Sequence, residues 1–372
     1  MQKAYSRREL MERAAASAME RHSAYMDKYC YELGLILKAL EAVWRINGDR
    51  RIFDCIKAGM DRFVGEDGTI QGYDAGEMNL DYINPGKILL LLYKETGAEK
   101  YKKAANLLSM QVEKQPRTNS GGFWHKRIYP HQMWLDGVYM SSPFYAEYAS
   151  LFQEPEAFDF IVKQVSLLWE HARDPKTGLL YHAWDESRGM KWSSDATGCS
   201  PNFWGRAIGW YYMALVDLLD SFPEGHPGRE RLTGILRELS AAIAAVQDAG
   251  SGVWFQVLDM KEKKGNYMEA SASCMYVYSM AKAVRKGYLD RSFLETVEKG
   301  FAGILKQFAE NDEKDYIDLK NVCAVAGLGG YPYRDGSFEY YVREPRVTND
   351  YKGYGPFILA CTEMVLLGGA HE

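Results

Sequence analysis

Two kinds of helical segment alternate along the chain. Residues 87–97 (KILLLLYKETG) and 203–220 (FWGRAIGWYYMALVDLLD) are apolar on nearly every side, whereas residues 97–114 (GAEKYKKAANLLSMQVEK) and 154–173 (EPEAFDFIVKQVSLLWEHAR) have a polar face. A helix that is apolar all round is buried between neighbours, and an amphipathic helix covers the outside of a protein. The pattern therefore predicts inner and outer helices in alternation.

Proline and glycine mark the boundaries of these repeats. X-Pro steps precede the apolar segments, and the first three lie about 58 residues apart: Asn84-Pro85, Ser142-Pro143, Ser200-Pro201 and Gly355-Pro356. Proline suits the first turn of a helix, where its missing N–H would have had no partner. Glycine turns followed by aromatic or apolar residues recur near Gly68, Gly122, Gly178 and Gly252. We therefore expect each inner helix to begin at its X-Pro step.

The repeats, about 55 to 80 residues long, divide the chain into about six helical hairpins. Ser6 and Glu9 form a capping box for the first helix, and residues 31–46 fit the first inner helix. The last segment, PFILACTEMVLL, is as apolar as the central ones, whereas an open solenoid needs polar end caps. The sequence thus predicts an all-α (α/α)6 barrel forming one catalytic domain over residues 1–372, with inner-helix N-termini gathered at one end.

Composition excludes several classes of function. The net charge is −5 with dispersed Lys and Arg, which argues against nucleic-acid binding. No apolar run is long enough to span a membrane, and the N-terminal residues are too polar for a secretory signal. The six cysteines lack zinc-ligand spacing and are expected to be reduced thiols. We therefore expect a cytoplasmic protein without a metal site.

The densest group of chemically active residues lies between residues 121 and 145. This segment, GGFWHKRIYPHQMWLDGVYMSSPFY, holds one carboxylate, Asp136, two residues after Trp134. Aromatic faces with polar donors suit a pocket for an anionic sugar. A carboxyl group among aromatic side chains is suited to act as a general acid, which we predict for Asp136. The alternative is a capping Asp ahead of the Pro143 helix.

Other candidates occupy equivalent places in neighbouring repeats. Asp81, in MNLDYINPGK, precedes the previous inner helix and is predicted to face Asp136 across the mouth of the barrel, unless it is a helix cap. His182 lies on an extended run, LLYHAWDES, and His125 with Lys126 lies on a similar run one repeat earlier. Since a single His is often structural, the recurrence of two at equivalent places is what favours function.

Trp204, Arg206 and Trp210 form a second candidate group in NFWGRAIGWYY. Positions 206 and 210 lie on one face of a helix. A guanidinium held near two indoles is a rigid receptor for a carboxylate, and the indoles offer planes for a sugar ring. The alternative is an arginine paired with a structural acid.

Together these motifs resemble glycoside hydrolase family 105, the unsaturated rhamnogalacturonyl hydrolases. The resemblance rests on GGFWHK, HQMWLDGVYM, LLYHAWDES, TGCSPNFWGRAIGWYYMAL and VTNDYKGYGPFILA, and covers nearly the whole chain from about Tyr29. It implies an (α/α)6 barrel that uses no cofactor and removes 4,5-unsaturated galacturonic acid from rhamnose in the disaccharides or short oligosaccharides left by a lyase. It also implies that one Asp protonates C4 of the vinyl ether while water adds at C5.

The same resemblance assigns residues to roles. Asp136 matches the general acid and the group that deprotonates the incoming water, and Asp81 matches a second Asp that binds ring hydroxyls. Further matches line the pocket: His125, Lys126, Trp134, Met140, His182, Trp204, Arg206 and Trp210. Tyr29 and Tyr31 occupy the region where the family often has Trp and Tyr, so Tyr31 is expected to contact the sugar ring.

Three alternatives remain open at the level of sequence. An unsaturated glucuronyl hydrolase would share the fold and mechanism but act on glycosaminoglycan fragments. A sugar epimerase on the same barrel would use paired histidines as acid and base. A non-catalytic oligosaccharide-binding protein would use the same aromatic residues without needing Asp136 to transfer a proton.

Overall fold

The computed structural model describes residues 5–22 and 27–369. The α-helices within these ranges are α1 (Arg7–His22), α2 (Tyr31–Asn47), α3 (Arg50–Asp61), α4 (Gly86–Thr96), α5 (Glu99–Lys114), α6 (Leu135–Phe152), α7 (Glu156–Ala172), α8 (Gly205–Ser221), α9 (Gly228–Ala245), α10 (Ala270–Arg285), α11 (Leu294–Gln307), α12 (Phe338–Arg343) and α13 (Tyr351–Gly368). Short strands are β1 (Gln132–Trp134), β2 (Ala183–Asp185), β3 (Ala309–Asn311), β4 (Ile317–Leu319), β5 (Val322–Cys323) and β6 (Arg346–Val347). The chain is therefore predominantly helical, as predicted.

Six helices form a closed inner ring: α2, α4, α6, α8, α10 and α13. The ring closes because α13 packs against both α10 and α2. Nearly every residue of α10 is buried, whereas the outer helix α5 keeps a polar face toward solvent. The outer helices α1, α3, α5, α7, α9 and α11 pack on this ring. The predicted (α/α)6 barrel and its ring closure are confirmed.

The first two helices also agree with the sequence prediction. Ser6 and Glu9 form the capping box, in which the Ser6 N–H donates to Glu9 Oε2 (2.8 Å) and the Glu9 N–H donates to Ser6 Oγ (3.2 Å). The first inner helix, α2, begins at Tyr31 as predicted.

The starts of three other inner helices were predicted wrongly. Pro85 does precede α4, but Pro143 lies inside α6 and Pro356 lies inside α13. Pro201 lies in the loop before α8, which begins at Gly205. A buried helix tolerates an interior proline when packing outweighs the lost hydrogen bond. Asp136 therefore lies in the first turn of α6 and not in a loop two turns ahead of the helix.

A two-stranded sheet connects the segments that carry the candidate residues. Strands β1 and β2 are antiparallel, with Trp134 opposite Ala183. The Leu135 N–H donates to the carbonyl of His182 at 3.1 Å, which continues this pairing into the start of α6. As a result, His182 is adjacent to Asp136 although the two residues come from successive repeats.

The remaining sequence predictions concern thiols and membrane contact. All six cysteines are free, so the expectation of reduced thiols agrees with the structure. Within the described ranges, no helix combines the length and the apolar character needed to cross a bilayer.

Candidate active site

Asp136 lies at the N-terminal end of α6, at the mouth of the inner ring. Its side chain is 14% exposed, and its Oδ2 atom is buried 3.3 Å from His182 Nε2. The first turn of a helix stabilises a negative charge through the unpaired N–H groups and the helix dipole. The carboxylate that remains after Asp136 donates a proton would be stabilised in this position.

His182 is fully buried and is held from its other side by Tyr341. The Nδ1 atom of His182 lies 2.8 Å from the Tyr341 hydroxyl. Burial raises the pKa of Tyr341 well above its ordinary value, so this hydroxyl keeps its proton and can donate a hydrogen bond to Nδ1. In that tautomer Nε2 carries the hydrogen and faces Asp136. The Nε2 atom and Asp136 Oδ2 lie 3.3 Å apart, and neither atom has a hydrogen-bond partner within the described residues.

Trp204 and Gln256 pack against His182 and Tyr341 and hydrogen-bond around them. The Trp204 ring lies 4.8 Å from the His182 ring, measured between centroids, and stacks on Tyr341 at 5.7 Å. Trp204 Nε1 donates to Gln256 Oε1 at 3.1 Å, and Gln256 Nε2 donates to the Tyr341 carbonyl at 3.0 Å. These hydrogen bonds fix the position of Tyr341 and therefore of His182.

Asp81 lies on the 3-10 turn Leu80–Ile83 and forms the second charged group. Lys126 Nζ lies 2.6 Å from Asp81 Oδ2, and His125 Nε2 lies 3.4 Å from Oδ1. Burial alone would raise the pKa of Asp81, but the charges of Lys126 and His125 outweigh it and hold the pKa well below its ordinary value. Burial would lower the pKa of Lys126, but Asp81 raises it. The pair is therefore an ionised carboxylate and an ammonium.

Trp134 connects the two charged groups. Its ring is parallel to those of His125 (4.9 Å between centroids) and Tyr129 (4.8 Å), and its edge meets His182 at 5.3 Å. An almost continuous aromatic wall thus runs from the Asp81 group to the Asp136 group. Trp134, His125 and His182 are buried in this wall, and Tyr129 is its partly exposed member.

Other predicted residues lie one helical turn deeper. Trp210 stacks on Tyr139 at 5.0 Å and meets Tyr31 edge-on at 6.1 Å. Met140 Sδ lies 3.6 Å from Asn84 Nδ2. Both Trp210 and Met140 are buried, whereas Tyr31 is half-buried at the start of α2. The structure thus brings these residues together beneath Asp136, with Tyr31 the accessible member.

Arg206 is held differently from what we expected. Its guanidinium is buried and donates to Ser271 Oγ (2.8 Å) and to the carbonyl of Cys323, and it lies 3.6 Å from Glu269 Oε1. Because these protein acceptors occupy the guanidinium, the geometry favours the alternative of an arginine paired with a structural acid.

Sequence reasoning missed several residues of the site: Tyr341, Gln256, Tyr129, Tyr139 and Asn84. Tyr341 comes 159 positions after His182 and lies in no motif of the sequence. Only ring closure brings α12 beside β2. Tyr129, in contrast, is in the dense aromatic segment that the sequence analysis selected, so its composition was the available signal.

Comparisons with known proteins are consistent with this geometry. The model of Glycosyl Hydrolase Family 88 matches residues 6–367. A solved structure of a family 105 glycoside hydrolase from C. acetobutylicum ATCC 824 is 47% identical, covers 96% of this chain and 99% of its own, and superposes with a TM-score of 0.94. Unsaturated rhamnogalacturonyl hydrolase YesR of Bacillus subtilis (strain 168) is 28% identical over 266 residues, 69% of this chain and 72% of that protein.

A more distant structure shares the fold alone. The unsaturated glucuronyl hydrolase of Bacillus sp. GL1, responsible for the degradation of glycosaminoglycan, is 13% identical, covers 95% of both chains and has a TM-score of 0.68.

Proposed function

The chain belongs to glycosyl hydrolase family 88 and is confirmed as a relative of family 105 enzymes, and on that premise we propose that it is an unsaturated rhamnogalacturonyl hydrolase. The substrate would carry 4,5-unsaturated galacturonic acid on rhamnose, and the name of one relative, unsaturated rhamnogalacturonyl hydrolase YesR, supports this substrate class. The observation that carries the proposal is the position of Asp136, 3.3 Å from the buried His182 and beside the aromatic wall. We further propose a single catalytic domain that works in the cytoplasm.

The reaction would begin with proton transfer from the Asp136 carboxyl to C4 of the unsaturated ring. The electron pair of the C4=C5 bond forms the new C–H bond, and positive charge develops at C5 and the ring oxygen. Water then adds at C5, and the Asp136 carboxylate takes its proton. The resulting hemiketal opens by breaking the bond between C5 and the ring oxygen, which leaves a keto group at C5 and a hemiacetal at C1. Collapse of this hemiacetal to an aldehyde breaks the bond to rhamnose, which leaves with the hydroxyl proton, and the other product is a 4-deoxy-5-keto uronate. General acid–base catalysis by one carboxyl group is sufficient for this sequence.

The neighbouring residues would position the ring. The ionised Asp81 can accept hydrogen bonds from ring hydroxyls, and Lys126 keeps it ionised. His182 would orient Asp136, while Trp134 and Tyr31 would contact the faces of the sugar. This assignment requires only one proton-transferring carboxyl group, unlike the two flanking carboxyl groups of ordinary glycoside hydrolysis.

The second candidate is an unsaturated glucuronyl hydrolase. Its support is the fold that the chain shares with the unsaturated glucuronyl hydrolase of Bacillus sp. GL1. The two candidates differ in the leaving sugar and not in the proton transfer. An assay with two substrates therefore separates them.

The test follows the ultraviolet absorbance of the C4=C5 bond with unsaturated rhamnogalacturonan and glycosaminoglycan disaccharides. We expect wild type to consume the first much faster, and Asp136→Asn to lose at least about 10²-fold in rate because an amide cannot donate the proton. Asp159→Asn is the matched control, since Asp159 also lies in the first turn of a helix but is exposed. Faster consumption of the glycosaminoglycan disaccharide would favour the second candidate. An Asp136→Asn variant with a third of the wild-type rate would exclude the catalytic assignment.

A further inference from the structure

Most of the exposed large apolar side chains lie in two segments that a hydrogen bond joins, from Arg334 Nη2 to the Tyr129 hydroxyl. Of the five large hydrophobic residues that are exposed in the described ranges, four lie in the segments 126–131 and 325–336: Ile128 (73%), Val325 (52%), Tyr331 (102%) and Tyr333 (43%). The fifth, Met110, lies on the outer helix α5. Single exposed apolar residues need no explanation, but a group of them beside a pocket is typical of a ligand-binding surface.

Segment 325–336 is a tight turn fastened to the aromatic wall. The Gly329 N–H donates to the Arg334 carbonyl at 2.8 Å, and Arg334 Nε donates to the Gly329 carbonyl at 2.9 Å. Gly329 and Gly330 have φ angles of 66° and 76°, which side chains with a Cβ rarely adopt. Two successive glycines therefore allow the turn that leaves Tyr331 in solvent.

The turn reaches the active site through two further contacts. Arg334 Nη2 donates to the Tyr129 hydroxyl at 3.2 Å, and the Tyr129 ring stacks on Trp134. Leu328 is buried in a small cluster that also contains Trp134. The position of the turn is thus coupled to the wall that faces Asp136.

The base of the same turn is tied to the residues that hold His182. The Gly327 N–H donates to the Tyr340 hydroxyl at 3.0 Å, and Tyr340 precedes Tyr341, the hydrogen-bond partner of His182. Ile128 lies on the opposite segment, between Lys126 and Tyr129. The two segments that carry the exposed apolar side chains are therefore both joined to residues of the candidate site, one through Tyr129 and the other through Arg334 and Gly327.

We propose that Tyr331, with Ile128 and Val325, forms a platform that binds the sugar rings beyond rhamnose in an unsaturated oligosaccharide. This inference rests on the proposed function, in which the terminal unsaturated ring enters the pocket and the rest of the chain leaves it over the rim. A pyranose has apolar C–H faces, which pack on aromatic and aliphatic side chains. The platform makes the enzyme prefer oligosaccharides that are longer than a disaccharide.

The test compares kcat/KM for the unsaturated rhamnogalacturonan disaccharide and tetrasaccharide. We expect wild type to favour the tetrasaccharide and Tyr331→Ala to lower the ratio of the two values about 3- to 10-fold, the range of one aromatic contact. Tyr331→Phe keeps the ring and should keep the ratio. Met110→Ala removes an exposed apolar side chain of the outer helix α5 and should leave both values unchanged.

Several results would overturn the platform. Equal values for the two substrates in wild type, or an equal effect of Tyr331→Ala on both, would do so while leaving the proposed function intact. If Tyr331→Ala converts a dimer to a monomer in sedimentation and leaves the ratio of the two kcat/KM values unchanged, the exposed apolar side chains form a contact between two copies of the chain. If wild type turns over neither substrate, the proposed function fails. The platform is then tested by measuring the affinity of both oligosaccharides for Asp136→Asn, with and without Tyr331→Ala. A loss of affinity for the tetrasaccharide alone supports the platform, whereas no binding, or an equal loss for both oligosaccharides, rejects it.

Discussion

At the scale of single residues, the side chain nearest to Asp136, His182, is held by Tyr341, which lies in no sequence motif. The tryptophan-rich context pointed to Asp136, and the equivalent place in the next repeat pointed to His182. Tyr341 could not be predicted, because its contact with His182 exists only after distant helices have closed the ring. Residue type and local context thus indicate the candidate for the reacting group, whereas the residues that surround it depend on tertiary structure.

Tyr341→Phe tests whether His182 orients Asp136. The substitution leaves the buried Nδ1 atom of His182 without its partner, and an unsatisfied buried polar group costs about 1–3 kcal/mol. We expect kcat to fall about 5- to 50-fold with little change in KM, and the pH profile of kcat to shift. Tyr354→Phe removes a buried hydroxyl that donates to Ile317 O, away from the site. Equal loss of stability in both variants with kcat and its pH profile unchanged in Tyr341→Phe would show a purely structural role.

Lys126→Met tests the charge pair at Asp81. The folded-state pKa of Asp81 is below its ordinary value, so the pair contributes stability that is present above the ordinary pKa and is lost as the pH falls through the folded value. We expect the variant to lose about 1–3 kcal/mol of unfolding free energy at pH 7, less than a fully buried pair because Lys126 is partly exposed. Urea unfolding at pH 7 and at about pH 2 should show the deficit shrinking in acid.

The control for this measurement is Lys57→Met, which removes an i,i+4 partner of Asp61 at the surface. Its loss should stay below about 1 kcal/mol. A Lys126→Met deficit that is the same at both pH values would contradict the assignment of Asp81 as the ionised member of the pair.

Arg206 shows where residue-scale reasoning stops. Its spacing from Trp210 correctly placed both residues on one helix, and its Cζ atom lies 5.4 Å from the Trp204 ring. Whether the guanidinium faces a ligand or a protein carbonyl depends on Cys323, more than a hundred residues away. Sequence spacing carries no information about that contact.

At the scale of elements, the two prolines inside helices explain most of the errors. Pro85 begins a helix, but Pro143 and Pro356 lie in helices whose sides are almost completely buried. Packing on all sides stabilises such helices enough to compensate for an interior proline, which costs about 3 kcal/mol in an exposed helix. Each of the four prolines still marks one inner helix, although its distance from the start of that helix differs.

The inner helices also bury a lysine, Lys87, that has no hydrogen-bond partner within the described residues. Its Nζ atom lies 4.0 Å above the Tyr139 ring, and burial lowers its pKa to about 7. The charged groups that act on it come from neighbouring inner helices: Asp217, Lys38, Glu147 and Glu41. An ammonium without a hydrogen-bonded partner is expected to destabilise the fold whenever it is charged.

Lys87→Met should therefore stabilise the protein in a pH-dependent way. Below pH 7 the folded lysine is charged. Between about pH 7 and the ordinary pKa of lysine, the unfolded chain binds a proton that the folded chain does not. The unfolding free energy of wild type therefore rises as the pH increases through this window. We expect a gain of about 2–4 kcal/mol near pH 6 that shrinks toward pH 10, measured by denaturant unfolding. Lys282→Met is the control, since it breaks close contacts to Asp217 and Asp220 and should destabilise. A pH-independent effect at Lys87 would contradict this account.

At the scale of the whole molecule, closure of the ring could be predicted from the last helical segment, α13. The apolar character of α13 predicted that the last inner helix is buried, and it packs between α10 and α2. The way in which closure assembles the site was not readable, because β2, α6 and α12 meet only in the finished ring. The sequence thus predicts the architecture and the end of the barrel that carries the candidate site, whereas the contacts across the ring are defined only by the folded structure.

The central claim is that Asp136 delivers a proton to C4 of an unsaturated uronate while water adds at C5. The most direct measurement is a single-turnover reaction of the unsaturated rhamnogalacturonan disaccharide in deuterated water, quenched before the product exchanges its own hydrogens. This account predicts one deuterium at C4 of the 4-deoxy-5-keto product, because the exchangeable proton of the Asp136 carboxyl becomes the new C–H bond. A released uronate without deuterium at C4 would contradict it, since a displacement at C1 never protonates that carbon.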